Sequence, residues 1–171
     1  MKVLKIVPDT IVDGIGLRTS VYFSGCNIHC DGCHNPESWN FSRGEDYSSL
    51  ELFNAIDKIG NNKVTLTGGN PLDMEDLYPL KCLYFLLKEK NYNIWLYSGY
   101  TYEEILEGKI VNNSRNLRNL LYILFNTDVL VDGPYNKNLK DLSPPFRGSS
   151  NQRLINVPES LKQDKVVLFD M

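Results

Sequence analysis

The sequence predicts an α/β fold, an incomplete (partial) TIM-type barrel of about five or six mostly parallel strands with covering helices. Strand-like and helix-like segments alternate along the chain, and this order is typical of parallel strands joined by crossover helices. The chain has 171 residues, whereas a complete eight-stranded barrel needs about 250. Because each strand–helix–strand unit takes about 30 residues, we expect only five or six strands. We treat residues 1–171 as a single domain.

Short runs of apolar, β-branched and aromatic residues predict the strands. The predicted strands comprise residues 3–7, 20–24, 63–67, 93–98 and 128–131, with two late strands at 153–157 and 166–169. Functional residues gather at the carboxyl ends of strands in such folds. We therefore expect four strand ends to converge on one mouth: Gly25-Cys26, Thr67-Gly68-Gly69-Asn70, Ser98-Gly99-Tyr100 and Asp132-Gly133-Pro134.

Helices are predicted between these strands. Ser48 and Glu51 form a capping-box pattern, which opens an amphipathic helix that ends near Ile59. Further helices are expected at residues 74–90, 101–107 and 117–125.

Composition excludes several classes of function. The formal net charge of -3 gives no reason to expect nucleic-acid binding or attraction to a membrane surface. No apolar run approaches the roughly 18 residues of a membrane helix, and the first ten residues make a poor signal peptide. We therefore expect a cytoplasmic protein, in a compartment where thiols stay reduced.

Three of the four cysteines lie within eight residues, at Cys26, Cys30 and Cys33, in the segment SGCNIHCDGCHNPESW. This clustering favours metal ligation over disulfides. Burial on one face of a helix would suit the spacing, but Gly25, Gly32 and neighbouring helix breakers favour a loop. Structural zinc would need a fourth ligand, such as His29 or His34. An iron–sulfur cluster normally takes four cysteines, so three thiolates on a four-iron cluster would leave one iron open.

The C-x3-C-x2-C spacing on a loop after an early strand resembles the signature of the radical S-adenosylmethionine superfamily. The resemblance implies that Cys26, Cys30 and Cys33 hold one [4Fe-4S] cluster and that S-adenosyl-L-methionine binds the open iron. It also implies that residues around the third cysteine, Gly32, Cys33 and His34, contact the cofactor. Many members of the superfamily have an aromatic residue where this chain has Gly32.

The segment Gly68-Gly69-Asn70 follows an apolar strand, and paired glycines let backbone approach a ligand closely. A tight turn into a helix that begins near Pro71 would also explain the pair. The segment resembles the superfamily's Gly-Gly-Glu motif, which implies that all three residues bind the cofactor and that the third receives its amino group. Asn70 can accept such a hydrogen bond through its carbonyl oxygen, but without the assistance of a negative charge.

The combination of motifs is similar to one family of activases. SGCNIHCDGCHNPESW, TGGNPL, WLYSGYTYEE, VLVDGPY and FRGSSNQR together span most of the chain and resemble the activating proteins of anaerobic ribonucleoside-triphosphate reductase. The resemblance implies an oxidoreductase that cleaves S-adenosylmethionine reductively to a 5'-deoxyadenosyl radical, with an electron from reduced flavodoxin or ferredoxin. The radical would abstract hydrogen from a glycine on the glycyl-radical loop of the reductase's large subunit.

Two alternatives stay open from the sequence. One is an activase of another glycyl-radical enzyme, and the other is a non-enzymatic iron–sulfur module that only transfers electrons. The fourth cysteine, Cys82, lies within a predicted apolar helix, where a free cysteine is usually a small packing residue. We assign Cys82 no role in the site.

Overall fold

The computed structural model describes residues 1–170 and contains one mixed sheet with helices packed against it. The sheet has seven strands in the order β3-β1-β2-β4-β5-β6-β7. The strands are β1 (Lys2–Thr10), β2 (Arg18–Phe23), β3 (Glu45–Asp46), β4 (Lys63–Gly68), β5 (Asn93–Tyr97), β6 (Val129–Asp132) and β7 (Arg153–Asn156). The helices are α1 (Ser49–Asp57), α2 (Tyr78–Glu89), α3 (Tyr102–Leu106), α4 (Ser114–Phe125) and α5 (Val157–Gln163).

The alternating α/β organisation is confirmed, and the strand count and direction need correction. The central strands β2, β4, β5 and β6 are parallel. At the edges, β1 pairs antiparallel with both β2 and β3, and β7 pairs antiparallel with β6. These edge strands return through connections without a crossover helix, so the prediction of mostly parallel strands holds only in the centre. The sheet does not close, because β3 and β7 lie at opposite edges.

Helix boundaries differ from prediction mainly in α2. The predicted helix over residues 74–90 begins only at Tyr78, because Pro71–Asp73 forms a separate 3-10 turn. Pro79 lies in the first turn of α2, where its missing N–H leaves no hydrogen bond unmade. The Ser48–Glu51 capping box is present at the start of α1.

The tail contains a helix that the sequence analysis missed. The predicted strand over residues 153–157 is confirmed as β7, but residues 166–169 contribute only an isolated bridge between Ile155 and Leu168. Helix α5 lies between them, and the Asn156 side chain caps it by accepting the Glu159 N–H. The spacing of Asn156 and Glu159, with Pro158 in the first turn, was a readable start signal.

Side chains alternate between the two faces of the sheet. Ile94, Leu96 and Leu130 belong to the main hydrophobic cluster together with buried residues of helices α1–α4. Trp95 and Val131, one position away, belong to a smaller cluster on the opposite face. The helices therefore cover one face of the sheet and leave the other to loops and the site.

A buried arginine closes the amino-terminal ends of the parallel strands. The Arg18 guanidinium donates to Thr65 Oγ1 at 2.8 Å, to the Val64 carbonyl at 2.7 Å and to Asn93 Oδ1 at 2.9 Å. It also lies 5.0 Å from the Trp95 ring centroid. Burial lowers the pKa of Arg18 to about 10, so the residue stays charged at neutral pH. The opposite ends of the strands remain available for a site.

A second arginine ties β6 and β7 to α3. Asp132 is fully buried; its carboxylate accepts from Arg153 Nε at 3.0 Å and from the Tyr102 backbone N–H at 2.7 Å. Arg153 also donates to both carboxylate oxygens of Glu103, at 3.1 and 2.7 Å, and this contact lowers the pKa of Glu103.

No helix within residues 1–170 is long and apolar enough to cross a membrane.

Arg153→Met is expected to lower the free energy of unfolding by about 3 kcal/mol, because it leaves the buried Asp132 carboxylate without its counter-charge. A urea titration of the metal-free protein, followed by circular dichroism, measures the change. Arg115→Met is the control, since the Arg115–Asp76 pair is on the surface with 3.6 Å between its charged atoms. Equal unfolding midpoints for the two variants would contradict the structural role of Arg153.

Candidate functional site

One cavity lies at the carboxyl ends of the four parallel strands. The loops after β2, β4, β5 and β6 all line it, through residues that include Cys26, Gly69, Ser98 and Gly133. The predicted convergence of four strand ends on one mouth is therefore confirmed. The cavity is at the far end of the sheet from the Arg18 guanidinium.

The cysteine loop forms one wall of this cavity. Cys26, Cys30 and Cys33 all line the cavity, and all are free thiols. The loop between them is not helical, which excludes the buried-helix interpretation of their spacing. The Cys33 N–H donates to the Cys30 carbonyl at 3.1 Å, which closes a turn between these two cysteines. His29 and Gly32 adopt left-handed backbone angles, with φ of 49° and 76°.

The cavity offers three thiol donors, the ligand type of iron–sulfur clusters. Within residues 1–170, no three His, Cys, Asp or Glu side chains are grouped closely enough to hold one ion. Three thiolates on a four-iron cluster each bind a different iron, so they lie farther apart than the ligands of one zinc ion. Burial raises the pKa of Cys26 and of Cys30, so these thiols would release protons when they bind iron.

The cysteine loop and the glycine turn are in direct backbone contact. The Gly69 N–H donates to the Phe23 carbonyl and the Asn70 N–H to the Gly25 carbonyl, both at 2.8 Å. A Cβ atom on Gly69 would lie 2.3 Å from the Gly25 carbonyl oxygen. Gly68 has a φ of +102°, and a Cβ there would lie 2.5 Å from Phe23 backbone atoms. The two glycines are therefore required for the turn to reach the cysteine loop.

A carboxylate clamps the start of the cysteine loop. Asp73 Oδ2 accepts the backbone N–H of Asn27, the residue after Cys26, at 2.7 Å. Its other oxygen accepts the Tyr100 hydroxyl at 2.6 Å. Burial and this hydrogen bond raise the pKa of Tyr100. Asp73 therefore joins three loops around the cavity: those after β2, β4 and β5.

The structure brings together most of the predicted site residues. The three cysteines, Gly68, Gly69 and Asn70 all line the cavity. Gly32 is exposed, and a Cβ there would face Tyr135 and Lys137 at 3.5 Å. His34 is also exposed and packs on the Tyr135 ring with centroids 5.1 Å apart. Gly32 and His34 are therefore not among the residues that line the cavity, and both lie beside Tyr135, which does line it.

Sequence reasoning missed several residues that shape the cavity. Trp39 lines it and stacks on His29, with ring centroids 4.6 Å apart. Gln152 also lines the cavity; its amide donates to the Gly133 carbonyl at 3.1 Å and accepts from the Gly148 N–H at 2.9 Å. Both residues are in quoted motifs, but long-range contacts of this kind have no local sequence signal. Asp73 directly follows the TGGNPL segment, and no local pattern indicated that it binds the cysteine loop.

Most of the chain matches the model of a known family of iron–sulfur proteins. Residues 12–155 match the model of a family described as "4Fe-4S single cluster domain". The match covers most of the chain, and it includes the cysteine loop and all four strand ends of the site. The protein therefore belongs to a family of single-cluster iron–sulfur proteins.

Similar curated proteins narrow the family further. A protein of Enterobacteria phage T4 is 34% identical, over 88% of this chain and 90% of its own length. One from Haemophilus influenzae is 32% identical over 89% and 96%, and one from Escherichia coli K12 is 30% identical over 85% and 92%. All three are named anaerobic ribonucleoside-triphosphate reductase-activating protein. The chain belongs to the family that carries this name.

Asp73→Asn is expected to weaken retention of the cluster, because its amide has one acceptor oxygen in place of two, so Asn27 and Tyr100 can no longer both donate to residue 73, and the charge that strengthened both bonds is lost. Iron and sulfide content after anaerobic reconstitution, and the rate of iron loss to a chelator, measure the effect; we expect loss several-fold faster than in the wild type. Tyr100→Phe is the control, since it leaves the Asn27 contact intact. Wild-type retention in Asp73→Asn would show that the clamp does not support the cysteine loop.

Proposed function

We propose that this protein is a radical S-adenosylmethionine enzyme that generates the glycyl radical of anaerobic ribonucleoside-triphosphate reductase. One observation carries the proposal: Cys26, Cys30 and Cys33 line the same cavity as the Gly68-Gly69-Asn70 turn. The family match and the names of the relatives support the same assignment of cluster and partner.

The three cysteines would hold a [4Fe-4S] cluster as thiolates and leave one iron without a protein ligand. When bound and reduced, the cluster would supply the electron for cleavage of S-adenosyl-L-methionine to methionine and a 5'-deoxyadenosyl radical, and that radical would take a hydrogen atom from a glycine of the reductase. The glycine turn, held against the cysteine loop by the Gly25 and Phe23 carbonyls, would place the cofactor beside that iron. Gly32 and His34 would contact the cofactor from the side of Tyr135.

The walls of the cavity suit hydrogen-atom transfer. Among the described residues that line it, none is Asp, Glu, Lys, Arg or His. Transfer of a hydrogen atom moves no net charge, so it needs no general acid or base of the kind used in proton-transfer catalysis. Ile28, Trp39, Tyr97 and Tyr135 contribute apolar surface, which would keep water from a reactive intermediate.

The open sheet suits a protein substrate. We interpret the four parallel strands and their edge strands as an incomplete TIM-type barrel that forms one domain over residues 1–171. The first and last strands of the sheet do not pair with each other. A segment of the reductase's large subunit could therefore reach the cavity from the side, where a closed barrel would admit only a small molecule.

The proposal includes a source of electrons and a compartment. Reduced flavodoxin or ferredoxin would reduce the cluster, and the reaction would take place in the cytoplasm. All four cysteines are free, as is typical of proteins in a reducing compartment.

The direct test uses protein reconstituted anaerobically with iron and sulfide and reduced with dithionite. We expect formation of 5'-deoxyadenosine from S-adenosylmethionine, and a glycyl doublet in the electron paramagnetic resonance spectrum after mixing with the reductase. No 5'-deoxyadenosine would refute the proposed chemistry. A doublet on another glycyl-radical enzyme, but none on the reductase, would refute the proposed partner.

Cys30→Ser is expected to abolish both cluster retention and 5'-deoxyadenosine formation, because a serine oxygen is a harder ligand than a thiolate. Cys82→Ser is the matched control. Cys82 is half-buried on α2 beside Tyr78 and Phe85, outside the residues that line the cavity, so this variant should retain both properties. Absorbance of the reconstituted proteins and chromatography of the products measure the two effects. Unchanged cleavage by Cys30→Ser would contradict the ligand assignment.

A further inference from the structure

Asn70 has one polar group without a partner. The residue is only 2% exposed. Its backbone N–H donates to the Gly25 carbonyl at 2.8 Å, and its backbone carbonyl accepts the Asp73 N–H at 2.9 Å. Its side-chain Oδ1 accepts from Ser98 Oγ at 3.2 Å. The side-chain Nδ2 is buried and, among residues 1–170, has no hydrogen-bond partner.

The Ser98 hydroxyl determines which way the Asn70 amide faces. Ser98 Oγ already accepts the Tyr100 N–H at 3.1 Å, so its single proton must find an acceptor elsewhere. Asn70 Oδ1 is that acceptor. A flipped amide would place two donors against Ser98 and leave the buried hydroxyl proton unbonded, which is the less favourable assignment. The Asn70 oxygen therefore faces Ser98, and its NH2 group is left for the cavity that Asn70 lines.

A second buried donor lines the same cavity. Trp39 Nε1 is buried, and it too has no partner among the described residues. A buried donor left without an acceptor costs about 1–3 kcal/mol. Two residues that line the cavity thus each carry a buried N–H donor without a partner, and no Lys or Arg within residues 1–170 lines it. A ligand that complements it must bring hydrogen-bond acceptors.

We propose that the Asn70 NH2 group donates to the α-carboxylate of S-adenosylmethionine, an inference that rests on the proposed function. The direction of donation is the reverse of the one that the Gly-Gly-Glu resemblance implies, in which the third residue accepts a hydrogen bond from the amino group of the cofactor. An amino group has N–H bonds of its own, so the Asn70 NH2 group would face it with donors instead of an acceptor. The carboxylate is the anionic, acceptor-only group of the cofactor, and it makes the stronger, charge-assisted hydrogen bond.

Asn70→Asp tests which group of the cofactor Asn70 contacts, because the two assignments predict opposite changes in the affinity for S-adenosylmethionine. The new carboxyl keeps an oxygen for Ser98 but places a second oxygen where the NH2 group was. If Asn70 faces the carboxylate of the cofactor, affinity falls at least about tenfold, by loss of a charge-assisted hydrogen bond and by repulsion. If Asn70 faces the amino group, the variant binds as tightly as the wild type or more tightly, and the inference is overturned.

The measurement is equilibrium binding of S-adenosylmethionine to cluster-loaded protein without reductant, so that no turnover occurs. The affinity ratio of variant to wild type is then followed with pH. Protonation of the new carboxyl relieves repulsion from a carboxylate, so we expect the variant's deficit to shrink as pH falls. A deficit that grows as pH falls would indicate an amino-group partner and contradict the inference.

Asn119→Asp is the matched control. Asn119 is a buried asparagine on α4 whose Nδ2 also has no partner among the described residues, and it does not line the cavity. The Asn119→Asp variant buries a new carboxyl outside the cofactor site, so its affinity for S-adenosylmethionine should equal that of the wild type. An equal loss of affinity in both variants would attribute the Asn70→Asp effect to general destabilisation and overturn the inference.

A second measurement covers the case in which Asn70→Asp fails to retain its cluster. Wild type and Asn70→Ala are each titrated with S-adenosylmethionine and with its decarboxylated analogue. Loss of the carboxylate should weaken binding about tenfold less in Asn70→Ala than in the wild type; equal losses in the two proteins would overturn the inference. Failure of the wild type to bind S-adenosylmethionine at all would refute the proposed function itself. If the wild type binds S-adenosylmethionine and Asn70→Asp binds it as tightly or more tightly, only the role of Asn70 is refuted.

Discussion

The site depends on the backbone contact between Gly69 and Gly25. The Gly25 carbonyl accepts the Asn70 N–H at 2.8 Å, and a Cβ on Gly69 would lie 2.3 Å from the same oxygen. No residue larger than glycine fits at position 69 unless the cysteine loop moves. This contact places the thiols and the Asn70 amide around one cavity, so the proposed cluster and cofactor sites are built as a unit.

The rest of the fold supports this contact by treating the two ends of the sheet differently. At the amino-terminal ends, Arg18 ties β2 to β4 and β5 through Thr65 and Asn93. At the carboxyl ends, Asp73 and Gln152 link the loops that surround the cavity through hydrogen bonds to Asn27 and Gly133. The buried Arg18 guanidinium fills one end of the sheet, and a largely apolar cavity, lined by no Asp, Glu, Lys or Arg among the described residues, lies at the other. A ligand would therefore bind at the carboxyl ends of the strands, as in other parallel α/β proteins.

Local sequence patterns predicted most of the strands and helices, but they could not predict contacts between residues distant in sequence. The central strands and the capping box at Ser48 are recognisable because they depend on neighbours within a few residues. The antiparallel edges and the late start of α2 depend on partners distant in sequence, such as Asn116, which accepts the Leu77 N–H and donates to the Glu75 carbonyl. Helix α5 differs, because its start signal at Asn156 and Glu159 is local and was overlooked. In the site, the cysteine spacing and paired glycines were legible, whereas the Asp73 clamp and the direction of the Asn70 amide required coordinates.

The central claim is that three thiolates hold a cluster with one iron left for the cofactor. Mössbauer spectroscopy of protein reconstituted with isotopically enriched iron tests it most directly. A [4Fe-4S] cluster with three cysteine ligands has one distinct iron, and addition of S-adenosylmethionine should shift the signal of that iron while the other three stay unchanged. A spectrum in which S-adenosylmethionine alters none of the irons would contradict the account.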